Sequence, residues 1–466
     1  MESNILLVGL GPHANRIYLR FIKNNNYNLR YVVDLCSREV EINKYLSKNG
    51  FTNIPLYLLE DKYRNFNELE DKHKKDLRLI IEKEKITHAI ISTEPKAHYA
   101  YLKFFIEEGI NVLLDKPVIV EEGLTTSQEA RDLLVNKMNM LCVSYREKYD
   151  YMNVCVMCQR RYSDVYVYLK QYIKEIINEY NIGITNMHIS TCDGMWNMPD
   201  EFFFRENHPY KYGYGKIMHS GYHFIDLALY LLEENKNLVN KEINKVSIQS
   251  SAFYPNDFFA TFNNLDYKKL FKEDIDYSSY MNLDNSMMGE IDVHSIIDFK
   301  DKENHLLTTV TMDLMQSGFT RRAWTMLPED TYKGNGRTKH NFIEINLGPL
   351  VSIKILAFQA LSKEEGHMGI NVGENDHFEV QIYRNNKLIG GKLLEIKQIS
   401  DFTDMGNDFF GYNEIYREYC LKDFINNQKG KSDLLEQERT MYLTKLLYDS
   451  LTAPVSVNFD LKGCEE

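Results

Sequence analysis

Short apolar runs alternate with longer amphipathic stretches over the first part of the chain. β-Branched and aliphatic residues are concentrated in four runs, which predict strands at residues 4–8, 29–34, 89–92 and 111–114. Between these runs apolar residues recur at helical spacing, which predicts helices at 14–23, 39–48 and 98–108. This alternation is typical of βαβ units. We therefore expect a doubly wound parallel sheet, built by residues 1–160.

The hydrophobic pattern changes near residue 160. A long helix is predicted at 126–153 and a strand at 154–157, which leads out of the first domain. The predicted elements beyond it are helices at 164–180 and 219–232, strands at 184–191, 245–253, 293–299, 306–313, 342–347, 352–358 and 378–383, and a last helix at 414–451 with a break at 428–431. The fold class is thus predicted as α/β, with a C-terminal α+β domain, residues 161–466, that carries a large, mostly antiparallel open sheet.

Length and composition support two soluble domains. The chain has 466 residues, 44% hydrophobic and 26% charged, which is ordinary for a globular protein and too long for one core. A formal charge of -12 argues against nucleic acid as a partner. The first residues lack the basic segment of a signal peptide, and no apolar stretch is long enough to cross a bilayer. We expect a cytoplasmic protein that acts on a small molecule.

The cysteines indicate reduced thiols. Their number, seven, is odd, and their spacing forms no disulfide framework. Cys155 and Cys158 form the one CxxC pair, inside an apolar run that predicts a strand. We interpret both as buried thiols, and a redox or metal site as the weaker alternative.

A glycine motif at the end of the first predicted strand indicates a dinucleotide site. Its glycines permit a tight turn and close approach of a pyrophosphate to the backbone, and the following helix directs its N-terminus at the phosphates. Asp34 ends the second strand, where a carboxylate reaches the ribose hydroxyls and disfavours a 2′-phosphate. NAD is therefore predicted as the cofactor, with NADP possible because Ser37 and Arg38 follow. The predicted cofactor residues of this part are Gly9, Gly11, Pro12, His13, Ala14 and Asp34.

Three further segments, in order along the chain, resemble a known family. They are Thr93–His98, Glu108–Pro117 and Gly215–Asp226, with weaker similarity at Gln159–Tyr162 and Leu446–Ser450. Together they resemble the glucose-fructose oxidoreductase and inositol dehydrogenase family, Gfo/Idh/MocA. Residues 256–289 and 322–411 match its pattern poorly and are interpreted as insertions or divergent loops. The resemblance implies a Rossmann domain, then a substrate-binding domain whose open sheet often mediates dimerisation, so a homodimer or homotetramer is expected.

The resemblance also implies the catalytic residues. Lys116 belongs to the family's E-K-P motif, in which Asp115 replaces Glu here, and His223 corresponds to the catalytic histidine. An imidazole titrates near neutral pH and suits a base for the substrate hydroxyl, while Lys116 suits stabilisation of the alkoxide. Thr93, Pro95 and His98, together with Lys116, are expected to contact the cofactor.

One departure concerns His219, which stands where the family usually has Asp, four residues before His223. Three interpretations remain open: a substrate or proton-relay role with His223, packing in a polar corner, and an HxxxH metal pair, which would need a third ligand and an open position. We predict no metal. Asp226 is expected to stabilise the helix, and Tyr212–Gly215 is either an anion-binding turn or only a turn. Residues expected to line the substrate pocket are Arg161, Tyr162, Trp196 and Tyr214.

Three functions are compatible with these features. The first is a dehydrogenase or ketoreductase acting on a sugar, cyclitol or nucleotide-linked sugar. The second is a redox-neutral enzyme, glycosidase-like or lyase-like, that reduces and reoxidises bound NAD within one turnover. The third is an inactive NAD-binding regulatory protein. Lys116 and His223 favour the first.

Overall fold

The fold was analysed in a computed structural model, which describes residues 3–206, 208–271, 276–317, 320–321, 338–360, 377–403 and 412–461. The chain divides into two compact units. The first unit comprises the described residues of Met1–Glu121, Asp132–Tyr166 and Met405–Tyr442, and the second those of Glu122–Arg131, Val167–Asp404 and Leu443–Glu466. Parts of the divergent segment 322–411, namely 322–337, 361–376 and 404–411, lie outside the described residues.

The first unit is built on a six-stranded parallel sheet. Its strands lie in the order β3-β2-β1-β4-β5-β6, which reverses direction of winding at β1 as in a doubly wound fold. The strand β1 is buried along its whole length. The strands are β1 (Asn4–Val8), β2 (Asn28–Leu35), β3 (Leu56–Leu59), β4 (His88–Ile91), β5 (Asn111–Leu114) and β6 (Val154–Val156).

The second unit is built on a nine-stranded mixed sheet. Its order is β16-β15-β14-β13-β7-β11-β10-β9-β17, in which β7 and β11 pair in parallel and the other neighbours are antiparallel. Buried and half-exposed residues alternate along β11, because one face of the sheet is covered and the other is open. The strands of this sheet are β7 (Asn186–Cys192), β9 (Lys245–Phe253), β10 (Asp292–Lys300), β11 (Leu306–Met315), β13 (Thr338–Leu347), β14 (Val351–Ala360), β15 (His377–Arg384), β16 (Leu394–Gln398) and β17 (Val455–Asn458). Two short strands, β8 (Met195–Trp196) and β12 (Thr320–Arg321), form a separate parallel pair.

Helices connect these strands. Two of them contain a π-helical turn, at Asn15–Leu19 and at Ile217–Gly221. The α-helical segments are Pro12–Ala14, Arg20–Asn24, Glu39–Lys48, Asp71–Glu84, His98–Glu107, Gln128–Arg146, Asp164–Tyr180, Glu201–Phe204, Tyr222–Leu232, Pro255–Thr261, Asn264–Phe271, Ser278–Met281, Asn386–Ile389, Tyr412–Ile425 and Leu434–Ser450.

A segment near the C-terminus belongs to the first unit. Along Tyr412–Ile425 the buried side chains include Cys420 and Phe424, which join the core cluster formed by β1, β2 and the first helix. The sequence predicts these residues as part of the C-terminal domain, because hydrophobic spacing within a helix does not reveal which core the helix covers. Cys155 and Cys158 are both buried, and Cys155 Sγ lies 3.3 Å from Cys420 Sγ.

The segment 256–289, interpreted from the sequence as an insertion or divergent loop, contains three short helices. Their aromatic side chains pack on the loop that follows β7: Trp196 lies 5.5 Å from Phe262, ring centre to ring centre, and Phe202 lies 5.7 Å from Phe259. The segment is therefore a packed cover over that loop. Aromatic contacts of this kind add to the stability of a buried apolar cluster.

The predicted fold class is confirmed: a parallel N-terminal sheet precedes a mostly antiparallel C-terminal one. The sequence prediction lacks several elements, among them the short strands β3, β16 and β17 and the 14-residue helix Asp71–Glu84. The predicted helix 126–153 is shorter, Gln128–Arg146, and the expected break in the last helix separates Ile425 from Leu434. In the described part of the chain, no helix combines the length and apolar character that a membrane span needs.

Candidate functional site

The glycine turn after β1 leaves no room for a side chain at its first position. Gly9 has a φ of +83°, and a Cβ there would come within 2.6 Å of the carbonyl oxygen of Ser92. Its N–H donates to Val33 O at 2.9 Å. Gly11 is open, since a Cβ there would meet Arg38 Nη1 only at 3.7 Å. The turn is thus closely packed on the protein side and accessible at the second glycine, as a pyrophosphate site requires.

Asp34 lies against this turn at the end of β2. Its side chain is buried, Oδ2 accepts the N–H of Leu10 at 2.7 Å, and Oδ1 accepts the N–H of Leu35 at 2.8 Å. Arg38 Nη1 is 3.5 Å from the same Oδ2, and Arg38 Nη2 donates to Leu10 O at 3.0 Å. The carboxylate therefore has a defined orientation beside the glycines, and Arg38 places a positive charge next to it.

Asp115 connects the ends of β4 and β5 with the first helix. It accepts hydrogen bonds from Ser92 Oγ at 2.5 Å and from the hydroxyl of Tyr18, which lies in the π-helical turn. His13 Nε2 is 3.6 Å from Oδ1, the oxygen that also accepts the Tyr18 hydroxyl. Burial alone would raise the pKa of Asp115, but His13 and these hydrogen bonds hold it well below the ordinary value. The residue that replaces Glu in the E-K-P motif is thus an ionised structural carboxylate.

Lys116 follows Asp115 and is half-buried, and the Lys116–Pro117 peptide is cis. Next to it the His98 ring is fully buried, with Nδ1 2.9 Å from Pro117 O and Nε2 3.2 Å from Thr93 O. Burial lowers the pKa of His98. A neutral imidazole carries one N–H and donates to one of these carbonyls. Thr93 and Pro95 remain half-exposed, while the His98 ring lies between the two backbone segments that carry Thr93 and Lys116.

In the second unit, His219 and His223 lie where a π-helical turn passes into an α-helix. The turn, Ile217–Gly221, contains a bond from Gly221 N–H to Lys216 O at 2.9 Å, and the α-helix Tyr222–Leu232 continues from it. Such turns are rare and occur frequently at functional sites. His219 is buried, whereas His223 is half-buried.

Aromatic rings surround His219. Its ring stacks on that of His208, with centroids 4.8 Å apart, and meets the edges of Tyr210 and Tyr214 at 5.5 and 5.8 Å. Across the described ranges, the group of three His, Cys, Asp or Glu side chains whose ligand atoms lie within 4.8 Å of one another is Asp301, Glu303 and His305, and it includes neither His219 nor His223. The three side chains of this group lie in an exposed turn between β10 and β11.

Two buried carboxyl groups contact the same turn, and the sequence analysis identified neither as a site residue. Glu290 Oε1 accepts the N–H of Ile217 at 2.8 Å and the hydroxyl of Tyr448 at 3.0 Å. Asp193 Oδ2 accepts Lys216 Nζ at 2.8 Å. Burial raises the pKa of Glu290 to about 7, against the opposing effect of these hydrogen bonds. The pairing of Asp193 with Lys216 depends on tertiary contact, because the two residues are 23 positions apart.

Of the four residues expected to line the substrate pocket, two lie in the first unit and two in the second. Arg161 and Tyr162 are buried in the first unit, where Arg161 Nη1 donates to Lys431 O at 3.2 Å and Tyr162 Oη lies 3.8 Å from Cys155 Sγ. Trp196 and Tyr214 are in the second unit, beside Tyr267 and His219 respectively. Lys116 and His223 likewise belong to different units.

Comparison with known proteins gives a family for the N-terminal part. Residues 3–145 match the model described as the oxidoreductase family with an NAD-binding Rossmann fold, Gfo/Idh/MocA. This identifies the first unit's sheet as an NAD-binding Rossmann domain and confirms the resemblance noted in the sequence. A search among curated proteins finds no significant match.

Solved structures share the fold over nearly the whole chain. An oxidoreductase from Agrobacterium radiobacter, in complex with NAD+, L-tartaric acid and magnesium, is 11% identical, with 99% of both chains covered and a TM-score of 0.56. An NAD-binding oxidoreductase from Klebsiella pneumoniae is 14% identical, with 98% of this chain and 99% of that chain covered and a TM-score of 0.56. An aldose–aldose oxidoreductase from Caulobacter crescentus, complexed with glycerol, is 10% identical, with 98% and 100% covered and a TM-score of 0.54. At these sequence identities the similarity shows a shared fold.

Asp115→Asn is expected to destabilise the first unit most strongly at neutral pH. Because the folded-state pKa of Asp115 is lowered, its ionised form stabilises the fold above the unfolded-state value of about 4, and this contribution is lost as pH falls. A loss of roughly 1–3 kcal/mol at pH 7 is expected, since charged acceptors of buried hydrogen bonds contribute in that range. Thermal and urea unfolding between about pH 2 and pH 7 measure it, a range that includes the pH values at which the contribution is lost. Asp150→Asn, an exposed position of the same unit, is the control, and a pH-independent difference would contradict the assignment.

Proposed function

We propose, from the premise that residues 3–145 belong to the Gfo/Idh/MocA oxidoreductase family, that this protein transfers hydride between NAD and a CH–OH carbon of a small molecule. The observation that carries the proposal is the Gly9 turn with Asp34 oriented beside it, at the carboxyl edge of a parallel sheet. Ligands of open α/β sheets bind at this edge, where the winding direction reverses. A sugar, cyclitol or nucleotide-linked sugar is the substrate class that the resemblance supports.

The residues of the first unit fit a dinucleotide. The exposed backbone at Gly11 and the helix start at Pro12 suit a pyrophosphate, and Asp34 suits the ribose hydroxyls. The bound nicotinamide supplies the hydride acceptor or donor. Asp34 accepts two backbone N–H groups; Oδ1 accepts that of Leu35 and can accept a further hydrogen bond, while Oδ2 accepts that of Leu10 and also faces Arg38 Nη1. Its negative charge favours NAD over NADP, while Arg38 at 3.5 Å moderates that preference.

The proposed catalytic residues each have a distinct task. His223 removes the proton of the substrate hydroxyl during oxidation and returns it during reduction. Lys116 stabilises the developing alkoxide with its positive charge. His219, surrounded by His208, Tyr210 and Tyr214, is proposed to contact the substrate or relay the proton, in place of the usual carboxylate.

Two other functions are distinguished by a simple measurement. A redox-neutral enzyme would convert substrate with no net change in NADH absorbance. An NAD-binding regulatory protein would bind the cofactor and convert no substrate. A panel of sugars and nucleotide sugars, followed in parallel by absorbance at the NADH band and by product analysis, separates the three.

The first prediction from this proposed function concerns the choice of cofactor. NADH is expected to bind more tightly than NADPH, because the Asp34 carboxylate bonds a hydroxyl and repels a phosphate. Asp34→Ala should weaken NADH binding by roughly 10- to 100-fold, the range that loss of a charge-assisted hydrogen bond implies, and NADPH binding much less. Calorimetric titration measures both. Glu39→Gln, an exposed acid on the next helix, is the control, and tighter binding of NADPH by the unaltered protein would overturn the assignment of Asp34.

The second prediction concerns chemistry. Lys116→Ala and His223→Ala should each lower turnover by about 10²- to 10⁴-fold with NAD affinity changed only a few-fold, because an acid–base or charge-stabilising group acts on the transition state. His219→Asp should retain measurable activity, and His219→Ala should lie between the unaltered protein and His223→Ala. His305→Ala, at an exposed histidine, serves as control. Near-normal turnover by His223→Ala would refute its role as base.

The third prediction concerns assembly. The protein is proposed to form a homodimer or homotetramer through the open face of its nine-stranded sheet, where Ile296 is 50% exposed on β10. Burial of an exposed apolar face against a second copy is a common reason for self-association. Light scattering should give at least twice the chain mass of 54.9 kDa, and Ile296→Glu should shift the mass toward the monomer. Leu265→Glu, at an exposed leucine on a helix, should not. A monomer at micromolar concentration would contradict the proposal.

A further inference from the structure

The helix that carries His219 and His223 begins with backbone groups that need acceptors from elsewhere in the fold. The first N–H groups of any helix have no intrahelical partner, and a π-helical turn spaces its bonds five residues apart. Here the turn covers Ile217–Gly221. The N–H of Lys216 and the N–H of Ile217 are the first such groups, and both are buried.

Glu290 accepts both of these N–H groups. Its backbone oxygen accepts from Lys216 N at 2.9 Å, and its carboxyl Oε1 accepts from Ile217 N at 2.8 Å. The contact is close, because a Cβ at Gly215 would lie 1.9 Å from Glu290 O. Tyr448 donates to the same Oε1 at 3.0 Å and limits the rotation of the carboxyl group. Glu290 therefore acts as an N-terminal cap supplied by a residue two positions before β10.

Asp193 contacts the turn through the side chains of Lys216 and Ser220. Its Oδ2 accepts Lys216 Nζ at 2.8 Å and the hydroxyl of Ser220, and Lys216 Nζ also donates to Ser220 Oγ at 2.8 Å. Lys339 Nζ lies 3.6 Å from the other oxygen. Lys216 is fully buried and Asp193 is 5% exposed. This closed triangle ties the residue before the turn to the residue after His219.

We propose that Glu290 and Asp193 are positioning residues, which together hold the π-helical turn and thereby set the orientation of His219 and His223. The proposal rests on the proposed function, since it assigns the orientation of these two histidines a catalytic purpose. Both carboxyl groups act through the turn.

The chemistry of the contacts supports positioning over simple stabilisation. Burying a carboxyl group is costly, and well-packed apolar residues of similar volume commonly stabilise a core as well or better. Both groups direct their oxygens at the same six-residue stretch, Lys216–Gly221. Directed hydrogen bonds constrain the orientation of a turn, which apolar contacts do less well.

The test measures hydrogen exchange at the two histidines themselves. Deuterium exchange at the imidazole C2 carbon, followed by mass spectrometry, gives the exchange half-life and pKa of each histidine without substrate or NAD. Glu290→Leu and Asp193→Leu should each shorten the half-life of His219 by at least about threefold and shift the pKa of His219 or His223, because released turns open more often. Glu290→Gln and Asp193→Asn keep an acceptor oxygen and should restore values close to those of the unaltered protein.

The matched control lies at the other end of the same helix. Asn235 is buried, accepts Ile184 N–H at 2.9 Å and donates to Thr308 Oγ1 at 3.1 Å. Asn235→Leu removes a comparable buried polar group and should lower thermal stability while leaving the exchange of His219 and His223 unchanged.

Two outcomes would overturn the proposal. One is unchanged histidine exchange in the leucine variants, and the other is an equal change in Asn235→Leu. If the leucine variants do not fold, Ser220→Ala decides, since it removes one side of the triangle at a half-exposed site and should shorten the His219 half-life. An unchanged half-life in Ser220→Ala would then count against Asp193. Failure of the proposed function would appear instead as near-normal turnover in His223→Ala, so the two failures are distinguishable.

Discussion

The tight passage from β1 into the first helix is the constraint on which the first unit depends. Gly9 lies so close to the Ser92 carbonyl that a methyl group would collide with it, and its φ of +83° is one that other residues rarely adopt. This closeness lets Leu10 reach Asp34 and lets the π-helical turn present Tyr18 to Asp115. The Gly9 turn thus lies against both the strand that carries Asp34 and the strand that ends before Ser92.

Buried carboxyl groups perform the same task in both units. Asp34 and Asp115 fix the loops at the carboxyl edge of the parallel sheet, while Asp193 and Glu290 hold the turn before the histidine helix. In each case the oxygens accept from backbone N–H groups or from side chains next to a proposed functional residue. Such groups cost desolvation energy, which their hydrogen bonds offset, and in return they impose a specific geometry.

The second unit adds a cover of its own. The helices within 256–289 pack aromatic rings on the loop that contains Trp196 and Phe202, and the same loop leads to His208 and Tyr210 beside His219. The aromatic surroundings of His219 therefore belong to the same loop that this segment packs against.

The sequence by itself determined the class of the fold and the cofactor. The period-2 and period-3.6 patterns predicted most long strands and helices, because burial of one face imposes that spacing locally. The glycine motif and Asp34 predicted the NAD site, since a tight turn admits few residue types. Tertiary structure alone decided that the helix Tyr412–Ile425 belongs to the first unit's core and that Glu290 and Asp193 meet the turn at His219. Glu290 is 73 residues from Ile217, and no local pattern of polarity records which distant backbone group a buried carboxyl will accept.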